Sequence, residues 1–275
     1  KTMLQNTIDR VKDVDIDSIT IITNAEHRFL ASEQSKNLNV PVKIILEPCA
    51  RNTAAAICLA ALNCSEDDVL LVLSADHEIK KQSEFLSSIF NALTLAKSNY
   101  LVTFGVVPTS PNTEFGYIQR GDEQKPGFHV KRFVEKPDLV TAQNYIDSGE
   151  YFWNSGMFMF KAGKYIQELS KYSKATLDAC KLSFDAKEDY YEFIKLDKSL
   201  FKKCPNISID YAVMEKTNDA LVVPLTSSWS DLGSWDSLWD IKDKDINNNF
   251  IKGDVITKIT TNSYISSEDK LIATI

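Results

Sequence analysis

Apolar positions change their spacing several times along the first hundred residues, and each change marks an element. Met3, Leu4, Ile8 and Val11 recur at helical intervals, and Ser18-Ile19-Thr20-Ile21-Ile22-Thr23 follows as a short continuous strand. The same reading predicts a helix over 26–36, a strand over 42–46 and an alanine-rich helix over 53–62. The run Asp68-Val69-Leu70-Leu71-Val72-Leu73-Ser74 is apolar at successive positions, which predicts a strand buried on both faces, hence a central parallel one. A helix over 83–97 and a buried strand over 100–107 complete a β-α-β alternation, the pattern of a doubly wound sheet.

Beyond residue 107 the pieces shorten, with glycine and proline between them. Strands over 129–134 and 153–160 flank a helix over 139–148, the stretch 164–200 reads as mostly helical, and 220–224 is a further strand. After Asn247-Asn248-Asn249 only short β pieces remain, over 254–259, 263–266 and 270–275. The expected organisation is an α/β domain over 1–246, with a mostly parallel sheet and helices on both faces, then the truncated start of a β domain over 247–275. Fewer than three turns of that tail are visible, so a β-helical repeat cannot be assigned from it. The globular part contains no internal repeat.

Composition narrows the partners. With 31 basic and 38 acidic residues the formal charge is −7, which argues against a nucleic-acid surface and against an anionic membrane face. No apolar run approaches the roughly 20 residues of a membrane span. The five cysteines are odd in number and have no C-x-x-C spacing, so a disulfide framework and a zinc site are both unsupported and a reducing cytoplasm is expected. His27, His77 and His129 fall into neither a metal spacing nor a place beside a nucleophile.

Four segments carry candidate chemistry. In Phe133-Val134-Glu135-Lys136-Pro137 a carboxylate and an ammonium sit together where a strand meets a proline, offering an acceptor for hydroxyls beside a point charge for phosphate. A solvated ion pair at a strand end accounts for them equally. Ser74-Ala75-Asp76-His77 places a carboxylate after a strand, where α/β sheets bind ligands, and hard oxygen donors there suit Mg²⁺. Asp76 as the cap of a turn is the alternative. Asp231, in Trp229-Ser230-Asp231-Leu232-Gly233-Ser234-Trp235, is a second carboxylate able to share that ion, or a turn residue before a helix capped by Ser234. Finally, Glu47-Pro48-Cys49-Ala50-Arg51-Asn52-Thr53 ends a strand and opens a helix. Asn52 or Thr53 would cap it; a nucleotide at the helix start, with Glu47 accepting from the N1–H and amino group of guanine, is the functional alternative.

Taken together, Glu47–Ala56, Leu71–His77, Phe104–Ile118, Phe133–Asp138, Tyr151–Phe160, Ser208–Thr217 and Trp229–Trp235 follow the motif order of one family. The chain resembles the mannose-1-phosphate guanylyltransferases, sugar nucleotidyltransferases with a Rossmann-like fold. The resemblance implies transfer of GMP from GTP to mannose-1-phosphate, giving GDP-mannose and pyrophosphate with Mg²⁺ as cofactor, in a homo-oligomer. It also implies roles. Asp76 and Asp231 would hold the metal, and Lys136 would contact the acceptor phosphate. Glu135, Asn154 and the Gly116-Tyr117 backbone would read sugar hydroxyls, and Glu47, Arg51, Asn52, Thr53 and Ser74 would lie along the nucleotide. Ala50 and Ser74 stand where the family favours Gly and Pro. The family's opening strand and glycine-rich triphosphate loop are not found in these 275 residues, so this stretch alone is expected to be inactive. Another NTP and sugar-1-phosphate pair, or a non-catalytic nucleotide-sugar sensor, are the competing expectations.

Overall fold

Thr2 starts the first helix by a capping box: its hydroxyl accepts from the Gln5 N–H, and the Gln5 side chain accepts from the Thr2 N–H at 3.0 Å. In the computed structural model, which describes residues 1–275, helix α1 (Met3–Arg10) is followed by β1 (Ile19–Asn24), α2 (Arg28–Gln34), β2 (Val42–Glu47) and α3 (Asn52–Leu62). Then come β3 (Val69–Val72), β4 (Glu78–Ile79), α4 (Gln82–Lys97) and β5 (Leu101–Val106). The middle of the chain holds β6 (Gly116–Gln124), β7 (Gly127–Glu135), α5 (Leu139–Ser148), β8 (Tyr151–Lys161), α6 (Ala162–Tyr172) and α7 (Lys174–Asp185). It continues through β9 (Glu188–Tyr190), β10 (Phe193–Lys195), α8 (Lys198–Phe201), a π-helical turn (Asp210–Met214) and β11 (Ala220–Leu225). By their contacts Lys1–Ala75 and Ile79–Ser228 make one unit, and Asp76–Glu78 with Trp229–Ile275 a second.

Two sheets organise the first unit. One has the order β1-β2-β10-β9, with β1 and β10 both parallel to β2. The other has the order β3-β8-β5-β11-β7-β6, and β6 also pairs with β8, so five of its strands form a closed cycle of pairings. Every residue of β5 is buried, as a strand flanked by neighbours on both edges and covered on both faces requires. Helix α3 is apolar on nearly every side, which suits a helix sandwiched in the core: Ala54, Ala55, Ile57, Cys58, Leu59 and Ala61 are all buried. It packs on α6 and α7, and each fully buried branched side chain there contributes about 2 kcal/mol.

The α/β class holds, while the pairing differs from expectation in three places. The run over 68–74 is neither central nor parallel: β3 lies at the edge of the six-stranded sheet, antiparallel to β8, with half-buried side chains. It shares no sheet with β1 and β2, so the first third is not one continuous doubly wound sheet. Within the six-stranded sheet β5 and β11 are the one pair of bonded neighbours that run parallel. The stretch 164–200 is interrupted by the β9–β10 hairpin, because Tyr191 turns the chain at φ 54° and Phe193-Ile194-Lys195 adds to β2 as a parallel strand, with Ile194 buried. β6 has no counterpart in the sequence reading, because its outer half alternates with charges and glycine.

A buried ion cluster ties α6 to the turn before β11. Lys164 Nζ lies 2.8 Å from Glu168 Oε1 and 2.6 Å from Asp219 Oδ2, with Lys164 and Glu168 each only 5% exposed. The desolvation cost of such a charge is offset only while both carboxylates remain in place.

In the second unit β12 (Trp229–Ser230) pairs with β4, and α9 (Trp235–Asp240) starts at Ser234, whose hydroxyl accepts from the Ser237 N–H at 3.0 Å. The expected cap is therefore present. Short parallel pairs follow, β13 (Phe250–Lys252) with β15 (Tyr264–Ser266) and β14 (Val255–Thr257) with β16 (Ile272–Thr274). Asn249, 1% exposed, anchors them: its amide donates to Thr260 O at 2.9 Å and accepts from the Ser263 N–H at 3.0 Å.

Candidate functional site

Asn154 owes its position to a bulge in β8. Thr103 of β5 pairs with Phe158 and Gly105 with Asn154, so Ser155, Gly156 and Met157 face the single residue Phe104. Gly156 takes φ 68°, a left-handed conformation that glycine adopts without strain. Ser155 repairs the interrupted ladder: its hydroxyl donates to Phe104 O at 2.7 Å and accepts from the Met157 N–H at 3.3 Å. Asn154 is then held from both ends. Its Oδ1 accepts from the Gly156 N–H and the Thr103 hydroxyl, each at 3.2 Å, and its Nδ2 donates to Asp210 Oδ1 at 3.0 Å.

Gly116 and Glu135 close on the same spot. They are register partners in β6 and β7, and a Cβ on Gly116 would stand 2.5 Å from Glu135 Oε2 and 3.3 Å from Asn154 Cβ. The absent side chain is what lets the carboxylate lie across the strand. Tyr117 is buried, with its hydroxyl donating to Asn112 O at 2.9 Å, so only its backbone is available. Lys136 turns the chain at φ 48°, its N–H donates to Phe115 O, and its ammonium is 55% exposed, 3.5 Å from Glu114 Oε2. So exposed a pair leaves the charge available to an anion.

The electrostatics of this cluster are unusual. Burial first, then the negative charges of Asp210 and Glu215, push the Glu135 carboxyl up to about 7 against the opposing charge of Lys136. Asp210, in the π-helical turn closed by the Glu215 N–H to Asp210 O at 2.9 Å, is itself raised by burial. The structure thus brings together Gly116, Glu135, Lys136 and Asn154 as the sequence reading grouped them, and adds Asp210, Thr103 and Glu215. No local pattern marks Asp210. The motif Ser208–Thr217 contains it, but the resemblance assigns it no role.

In the Glu47–Thr53 segment most side chains are engaged by the chain itself. Neither Asn52 nor Thr53 caps α3 in the expected way: the cap position is Arg51, without a side-chain bond, and Thr53 Oγ1 instead accepts from the Ile209 N–H at 3.0 Å. Asn52, at φ 63°, accepts the Thr53 N–H. Arg51 reaches Ala50 O at 3.0 Å and Lys202 O at 2.7 Å. Glu47 Oε1 and Arg51 Nε are nevertheless buried without a partner, and burial raises Glu47 to about 7. Orphaned polar atoms of this kind call for a ligand or another explanation.

The two metal candidates lie on neighbouring segments of the second unit. Asp76 is exposed in the turn before β4. Asp231 follows β12 directly, and its Oδ1 accepts the Gly233 N–H at 3.1 Å, so the turn expected there exists. Trp229 Nε1 donates to His77 Nδ1 at 3.2 Å, tying the two segments together. No group of three or more His, Cys, Asp or Glu side chains is arranged as a cage. Mg²⁺ needs none, since one or two carboxylates with phosphate and water oxygens suffice, and this donor set fits it. Ser74 lies half-buried just past β3.

No helix is long and apolar enough to cross a membrane. The sequence pattern of the Nucleotidyl transferase family matches residues 1–248. A mannose-1-phosphate guanylyltransferase of Salmonella montevideo is 48% identical over the whole chain, which spans 60% of that relative's length. Among solved structures, a Thermus thermophilus protein described as a mannose-1-phosphate geranyltransferase superposes with a TM-score of 0.85 at 26% identity, covering 100% of this chain and 80% of that one. A Helicobacter pylori protein described as a mannose-6-phosphate isomerase gives 0.78 at 37% identity over 84% of this chain and 90% of that one. By extent of match and by fold, the chain belongs to the nucleotidyl transferase family.

Proposed function

We propose that the chain is the nucleotidyl-transfer part of a mannose-1-phosphate guanylyltransferase, residues 1–246 forming that part and 247–275 opening a β domain. The observation that carries this reading is the convergence of Gly116, Glu135 and Asn154 beside the exposed ammonium of Lys136, within a sequence similar throughout to curated guanylyltransferases. In the reaction a phosphate oxygen of mannose-1-phosphate attacks the α-phosphorus of GTP. The bond from that phosphorus to the β-phosphate oxygen breaks, and pyrophosphate leaves. No general base is needed, because the attacking phosphate is ionised near neutral pH, so positioning and charge neutralisation do the catalysis.

Lys136 neutralises the acceptor phosphate, while Glu135, Asn154 and the Gly116-Tyr117 backbone read the sugar hydroxyls. Glu47 and Arg51, with buried atoms that lack partners, face the guanine and ribose together with Asn52, Thr53 and Ser74. Asp76 and Asp231 would hold Mg²⁺, whose charge offsets the anionic phosphates when bound. Five free thiols accord with a reducing cytoplasm, and a homo-oligomer is the expected assembly. The test is pyrophosphate release by the complete gene product with Mg²⁺, across GTP, ATP, UTP and dTTP against mannose- and glucose-1-phosphate. Preference for GTP with mannose-1-phosphate is expected; preference for another pair, or no turnover with any, overturns the reading.

A further inference from the structure

We infer that Asp210 is a positioning residue for the sugar-phosphate site, fixing the amide of Asn154 so that it offers a hydroxyl a donor and never an acceptor. The inference rests on the function proposed above and gives a role to a residue outside its contact set.

An asparagine side chain has two N–H donors and one oxygen, and either end can face a ligand. Here the oxygen accepts from the Gly156 N–H and faces the Thr103 hydroxyl, whose one proton can go to it or to Met157 O, each at 3.2 Å, and one N–H is taken by Asp210 Oδ1. One N–H remains. Glu135 borders the same glycine and, when ionised, can only accept. A sugar hydroxyl between them must accept from Asn154 and donate to Glu135, a polarity that a rotated amide would destroy. The Thr103 hydroxyl does not impose this orientation, because it can turn to accept from an amide instead, and the Gly156 N–H secures only the oxygen end of the side chain. Asp210 secures the nitrogen end: when ionised its carboxylate has no proton to offer, and it sits on a π-helical turn whose start is pinned by the bond from the Ile209 N–H to Thr53 Oγ1.

The same carboxylate faces Glu135. The charged and titratable groups around Glu135 are Asp210, Tyr211 and Glu215, from the π-helical turn and its end, and Lys136 from its own strand end. Replacing Asp210 by Asn keeps an acceptor for Asn154 but removes one negative charge beside Glu135.

The experiment compares Asp210→Ala and Asp210→Asn with the unaltered complete gene product, measuring KM for mannose-1-phosphate and for GTP separately and kcat/KM against pH. Asp210→Ala is expected to raise the sugar-phosphate KM about tenfold or more, with the GTP KM within about twofold. Asp210→Asn is expected to restore most of the sugar-phosphate KM at pH 8 and to move the acid limb of the profile to lower pH. A purely structural role would shift neither the KM ratio nor that limb. A folded Asp210→Ala protein with an unchanged sugar-phosphate KM overturns the inference. If that variant does not fold, an Asp210→Asn profile whose acid limb stays in place overturns it. Absence of turnover by the unaltered protein defeats the function reading and this role with it, whereas turnover insensitive to Asp210 defeats this role alone.

Discussion

The indole N–H of Trp229 donates to His77 Nδ1 at 3.2 Å, and the two rings meet edge-on with centroids 5.3 Å apart. His77 follows Asp76 and Trp229 precedes Ser230-Asp231, so this contact joins the segments that carry both metal candidates. Trp229→Phe keeps a ring and loses the donor. A hydrogen bond of this kind is worth about 1 kcal/mol, so the Mg²⁺ concentration for half-maximal pyrophosphate release is expected to rise about fivefold. An unchanged Mg²⁺ titration in a folded variant would dissociate the two aspartates from a common ion.

Gly116→Ala probes the sugar side without touching charge. The new methyl would lie 2.5 Å from Glu135 Oε2, so the carboxylate must swing away. The KM for mannose-1-phosphate is expected to rise about tenfold with the GTP KM little changed, since one misdirected charged contact costs on the order of 1.5 kcal/mol.

Glu47 and Glu135 give stability a definite pH dependence. Both folded values are raised from 4.5 to about 7, so the folded state holds more protons than the unfolded chain between those limits. Their stabilising contribution is complete below pH 4.5 and is lost as the pH rises through about 7. Urea unfolding at pH 5.5 and pH 8 is expected to show a fall that Glu47→Gln reduces by about 1 kcal/mol. A Glu47→Gln protein with the same dependence as the parent would contradict the burial of that carboxyl.

How much of this was legible beforehand depends on how local each cause is. The Ser234 cap, the alanine-rich α3 and the buried β5 are set by neighbours a few residues away, and the sequence reading finds them; the Thr2 capping box is equally local, yet the apolar spacing of the first helix does not display it. The edge position of β3 is decided by β8, about 90 residues downstream, so the apolar run over 68–74 could suggest burial but not a partner. Two residues of the β9–β10 hairpin are exposed tyrosines, and only pairing with β2 makes Phe193-Ile194-Lys195 a strand. Asp210 is the sharpest case. Its bond to Asn154 spans 56 positions and depends on a bulge that periodicity cannot display. Gly116, Glu135 and Asn154, which the motif resemblance assigns to one role, lie together in the fold, whereas the cap read locally for Thr53 is absent, because its hydroxyl is engaged by Ile209 from another part of the chain.

Lys164 tests the structural side. Lys164→Met strands the carboxylates of Glu168 and Asp219, one of them buried, and is expected to cost about 3–5 kcal/mol in urea unfolding at pH 7. Adding Glu168→Gln should recover part of that loss, since the remaining buried group is then neutral. A single variant within about 1 kcal/mol of the parent would mean the cluster is hydrated in solution.

The most direct test of the account is Lys136→Ala in the complete gene product, assayed for pyrophosphate release from GTP and mannose-1-phosphate at saturating Mg²⁺. Lys136 is exposed and supports no core contact, so the melting temperature is expected to stay put while kcat/KM falls on the order of a hundredfold. A variant that keeps its turnover within a few-fold of the parent would contradict the placement of the acceptor phosphate at this lysine.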